Sequence, residues 1–271
     1  MNDYSMICQF ALAARDNLTE RLIKAAESIF AAIGCTVKKI YASSGEKSRS
    51  YGRNEFKRLV NYDYFYSIEF RSDFDREDFE PQTQLYTNID NSAVRGNPYV
   101  KPKSLVKFTV VVREELLNNT DQAFAKIIST LSEISDVPLS GQAFLLPNSY
   151  GAVSFSHGIA RKINMPEPLQ NLLVWERESD VKKGFVGLFN CFSGLTKNQT
   201  ELLESLFGKE NVKTAGRLTW FRNEDMNTLD IGDYFMSEKY DKLCGELEAS
   251  LPFERLQIFS FGNQLNKPSM I

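Results

Sequence analysis

An α+β fold, with antiparallel or mixed sheets carrying helices on one face, is the class that this 271-residue chain predicts. Three observations lead there. Amphipathic helical stripes and strand-like runs follow one another along the whole length without the regular rhythm of a parallel βαβ sheet. The stretch YDYFYSIEFRS (62–72) alternates, with Tyr62, Tyr64, Tyr66, Ile68 and Phe70 on one side and Asp63, Ser67, Glu69 and Arg71, beside Phe65, on the other. That is the pattern of a half-buried strand in an antiparallel sheet. The composition is 42% apolar and 25% charged, which is ordinary for a globular protein and sufficient for a sizeable core.

Residues 6–14 read as a first strand. Asn17 with Glu20 three residues later forms a capping-box pattern, followed by Leu18, Leu22, Ala25, Ala26, Ile29 and Ile33 at helical spacing. Gly34 fits the end of that helix. CTVKKIYA (35–42) reads as a strand and SSGEKSRSYGRN (43–54) as a polar loop. Residues 73–104, with Pro81, Gly96, Pro98 and Pro102, read as loop. LVKFTVVV (105–112) is the next strand. Thr120 is the expected cap of a helix bearing Phe124, Ile127, Ile128, Leu131 and Ile134. SGQAFLLP and YGAVSF read as a strand or a hairpin. GFVGLFNCF (184–192) is strand-like, and its two glycines point to a bulge or a close backbone approach. Thr196 and Gln199 form a second capping box before Leu202, Leu203, Leu206 and Phe207, and Gly208 ends that helix. RLTWF (217–221) is a strand, residues 236–250 a helix, and RLQIFSF a final strand. The recurrence of strand, helix and strand divides the chain into halves at 1–158 and 159–271, either two related α+β units or one continuous domain.

The charge balance narrows function. A net charge of −3 and a pI near 5.5 give no broad electrostatic reason to bind nucleic acid. The N-terminal stretch lacks the basic start of a signal peptide, and no run approaches a membrane span, so the cytoplasm is the expected compartment. Cys8, Cys35, Cys191 and Cys244 are scattered among apolar neighbours without metal-ligand spacing, and are expected to be buried free thiols. The single histidine, His157, has no nucleophile motif to work with, since no GxSxG is present, and is expected to be structural or at the surface. Gly45, Lys47 and Ser48 do not make a phosphate-binding loop, because the first glycine of that motif is missing. The alternating tyrosines are expected in the core rather than stacked on bases, since Asp63, Glu69 and Asp73 surround them. No cofactor is expected.

Two acid-rich stretches remain. One is SDFDREDFE, with Asp73, Asp75, Glu77 and Asp78 interleaved with Phe74 and Phe79. It is not an EF-hand: counted from Asp73, the required glycine is Asp78 and the required glutamate is Gln84. The other follows RLTWF and carries Glu224, Asp225, Asp230 and Asp233. Solvated loops, a metal site and a partner-binding rim are all open to such stretches. For the first stretch a solvated loop is the leading reading, with Phe74 and Phe79 keeping a partner-binding rim open because interfaces use aromatic anchors; for the second, a loop that positions a helix and faces a partner is the better reading.

The order of segments across residues 6–252 resembles the type VI secretion immunity proteins paired with VRR-Nuc nuclease effectors. The closest stretch is IGDYFMSEKYDKLCGELEASLPF, where Gly232, Asp233, Tyr240, Leu243, Leu247 and Pro252 match the family's Gly-Asp step, tyrosine, leucine-bearing helix and proline. Phe189 stands where that family tends to have tryptophan, and MNTLD replaces its aromatic-proline context. The resemblance implies a non-enzymatic protein that binds and neutralises a toxin, with Asp73, Asp75, Glu77, Asp78, Phe79, Glu224, Asp225, Asp230 and Asp233 as the expected contacts. The alternative is a metal-dependent enzyme acting on a nucleotide or phosphate ester through the same carboxylates.

Overall fold

The computed structural model describes residues 4–13, 18–42, 49–60, 67–72, 84–90, 105–134, 140–156 and 187–225, together with Glu238, Lys242 and Glu246. The strands are β1 (Tyr4–Ala13), β2 (Lys39–Ala42), β3 (Arg49–Ser50), β4 (Ser67–Arg71), β5 (Leu85–Asp90), β6 (Leu105–Arg113), β7 (Ser140–Pro147), β8 (Phe189–Ser193), β9 (Val212–Ala215) and β10 (Leu218–Arg222). The helices are α1 (Leu18–Ile33), α2 (Arg53–Val60), α3 (Thr120–Ile134), α4 (Ala152–Ser156) and α5 (Lys197–Phe207). The ten strands form one sheet in the order β3-β2-β4-β5-β6-β1-β7-β8-β10-β9, and every pairing is antiparallel. The expected α+β class is what the chain adopts. The β7–β8 ladder carries the sheet across residue 158, so strands of both halves belong to the same sheet.

Register assigns each side chain to a face, because neighbours paired across a ladder share one. Cys8 and Phe10 of β1 lie in line with Val110 and Phe108 of β6 on one side. On the other side Cys8 is opposite Ala143 of β7, which is opposite Phe189 of β8. This first face is apolar and carries the long helices. The stripe of α1 buries Leu22, Ala25, Ala26 and Ile29 as its spacing predicts, with Ile23 and Phe30 beside it. Helix α3 lays Phe124 at the centre of an aromatic cluster, stacked on Phe10 and Phe189 at 6.2 and 4.8 Å and edge-on to Trp220 at 5.8 Å. Offset and edge-to-face pairs add stabilisation beyond the area they bury.

The second face carries the shorter helices. Phe155 of α4 packs edge-on to Phe144 of β7, whose register partner Ile7 points away from Cys8. Phe207 of α5 stacks on Phe221 of β10 at 4.4 Å, and a small cluster of Phe192, Leu203, Val212 and Phe221 forms there.

Helix ends follow the chemistry expected of them. Gly34, at φ 83°, closes α1 with its N–H on Ala31 O and the Cys35 N–H on Phe30 O, a Schellman pair that glycine makes cheaply. Lys126 of α3 donates to Ala32 O at the same end and ties the two helices together. The capping box of α5 is complete: Thr196 Oγ1 accepts from the Gln199 N–H and the Gln199 side chain accepts from the Thr196 N–H.

Several expectations need correction. The cap of α3 is Asn119, whose Oδ1 accepts from the Gln122 N–H, and Thr120 is the first helical residue. The expected loop 43–54 contains β3 and the first two residues of α2. The expected loop 73–104 contains β5, placed between β4 and β6. YGAVSF is not a strand: after a short 3-10 turn at Asn148–Tyr150 it becomes α4. The polar side of β4 is less open than the alternation implies, because Glu69 is buried and paired with Arg71 Nη2 at 2.6 Å. The close approach read from GFVGLF is real at Gly187, where a Cβ would sit 2.6 Å from Ala143 O. Of the expected helix 236–250, Glu238, Lys242 and Glu246 are helical and exposed, four residues apart as one outer face requires. Residues 157–186 and the expected strand 255–261 lie outside the described residues.

Candidate functional site: an acidic end of the sheet

The strand directions put the C-terminal ends of β4 and β10, from which the chain enters the two acid-rich stretches, at one end of the sheet. Arg71 at the C-terminus of β4 is opposite Tyr86 near the N-terminus of β5, and Arg113 at the C-terminus of β6 is opposite Ser5 near the N-terminus of β1. Continuing through β7 and β8, the C-terminus of β10 falls at this same end, with Arg222 opposite Phe189. The chain therefore leaves β4 towards Asp73 and leaves β10 towards Glu224 from the same end. In the strand order these exits are six positions apart, about 29 Å at the usual inter-strand spacing. Glu114 and Glu115, which follow β6, are exposed at this end and lie between them.

Each exit is anchored. Ser72 gives its N–H to Leu85 O and takes the Leu85 N–H on Oγ at 3.0 Å, while the Arg113 N–H reaches Gln84 O. Both feet of the segment 73–83 are thus fixed at this end. At the other exit the guanidinium of Arg222 donates to Asp121 Oδ2 of α3 at 2.9 Å and lies 6.0 Å from the centre of the Phe189 ring. Asn223 is buried and its N–H bonds Leu188 O at 2.8 Å. Glu224 and Asp225 follow directly and are exposed. Backbone and ion pair together fix where these two carboxylates emerge.

Of the predicted contacts, Glu224 and Asp225 are described and exposed. Asp73, Asp75, Glu77, Asp78, Phe79, Asp230 and Asp233 lie outside the described residues, as do His157 and Cys244. Glu114 and Glu115 were missed; the available signal was a like-charged pair directly after a strand. Among the described residues no three His, Cys, Asp or Glu side chains are grouped to hold a metal ion, and no helix is long and apolar enough to cross a membrane. Cys8 and Cys191 are free thiols and fully buried, and Cys35 is half-buried. Burial pushes the thiols of Cys8 and Cys191 well up from the ordinary range, which leaves them protonated and unreactive. Burial also raises the Tyr51 phenol, helped by its hydrogen bond to Glu27.

No protein-family profile matches the chain, and no curated protein does. Among solved structures it is similar to the Pseudomonas aeruginosa T6SS protein PA0821, at 12% identity and a TM-score of 0.49 over 81% of this chain. The match spans 65% of that protein's length. It is also similar to a chain in the structure of the toxic C-terminal tip of CdiA from Pseudomonas aeruginosa in complex with its immune protein, at 12% identity and a TM-score of 0.28. That match covers 54% of this chain and 89% of the other. Likeness at this level is silent on what this chain does.

Proposed function

We propose that this protein is a non-enzymatic immunity protein that binds a cognate bacterial toxin in the cytoplasm and occludes it, with a basic nuclease effector as the partner class. The observation that carries this reading is that β4 and β10, the strands that lead into the acid-rich stretches, end on the same side of a single sheet, with Glu114 and Glu115 exposed between those ends. Nucleases present positive charge where they hold phosphates. Exposed Glu114, Glu115, Glu224 and Asp225, at an end where the two exits are about 29 Å apart along the sheet, would complement such a surface in sign and on the scale of a standard interface. Exposed carboxylates of this kind act mainly on association rate and choice of partner. Tight binding needs a buried aromatic centre as well, and Phe79 is the proposed anchor.

Charge reversal tests the surface. The variant Glu114→Lys/Glu115→Lys/Glu224→Lys/Asp225→Lys should associate with the partner about 10-fold more slowly at low salt, with the difference shrinking as salt rises. Unchanged association at all salt concentrations would remove this end from the interface. The competing enzyme reading needs a divalent ion, so titration calorimetry with magnesium and manganese separates the two. Occlusion predicts no saturable heat, and a micromolar site would favour the enzyme.

A further inference from the structure

We draw no further inference here: the strongest candidate, the buried polar row that Glu69, Thr109, Gln9, Gln142 and Asn190 form across the second face of the sheet, where Gln9 Nε2 has no acceptor among the described residues, carries none because nothing among those residues shows what covers it.

Discussion

Phe124 is the residue on which most of the first face converges, touching aromatic rings from β1, β8 and β10 at once. Replacing it with alanine should cost about 3–5 kcal/mol, read as a lower denaturant midpoint at an unchanged slope. Thr196→Ala removes one half of a complete capping box and should cost about 1 kcal/mol. Both roles were legible in the sequence, because helical spacing and the S/T-x-x-E/Q pattern are local signals. The buried thiols give a pH dependence. With the folded pKa of Cys8 and Cys191 raised, the unfolded chain loses its thiol protons first as pH climbs. Stability is therefore fully present below about pH 8.5 and falls above it, by roughly 1.4 kcal/mol per pH unit for each thiol. Equilibrium unfolding between pH 7 and 10 should show this loss. The double variant Cys8→Ala/Cys191→Ala, although less stable at pH 7, should show a flatter alkaline limb; an equally steep limb would assign the effect to other groups.

Elements were legible in proportion to their length and apolar content. The helix α1 and the strands β1 and β6 each carry many periodic positions and were read near their true bounds. Helix α2 offers Phe56, Leu59 and Val60 as its apolar signal, one turn's worth, within a polar stretch that resembles a loop. Strand β5 does alternate, with Leu85, Thr87 and Ile89 buried, but it is six residues long and sits among prolines and glycines. Strand β9 has four residues and α4 five, too short for periodicity to declare itself. The sheet order implies a gradient of protection. Strand β1 is paired along nearly its whole length on both sides, with β6 and β7, whereas among the described strands β3 and β9 are the edges. Amide hydrogen exchange should be slowest in β1, set by global unfolding, and fastest among the strands in β3 and β9. Uniform exchange across the sheet would contradict that order.

For the whole molecule, charge and aromatic content pick out the two acidic stretches, but pattern alone does not say whether the chain enters them from the same end of the sheet. That depends on strand direction and on how many strands intervene, which are non-local properties. The inserted β5 decides it: without that strand, β4 would lie next to β6 and the directions would not alternate as they do. A like-charged pair alone does not single out Glu114 and Glu115: their place follows from β6 ending between the two exits. The enclosing claim is that this end of the sheet neutralises a toxin, and one measurement reaches it most directly. The tagged chain and its four-lysine variant would be used side by side to capture proteins from the native cells, and the retained protein then expressed alone and together with each. The account predicts a basic partner held stoichiometrically by the natural chain, retained at least about 10-fold less by the variant, toxic alone and harmless beside the natural chain. A preparation with no stoichiometric partner, or a partner that does no harm when expressed alone, would contradict it.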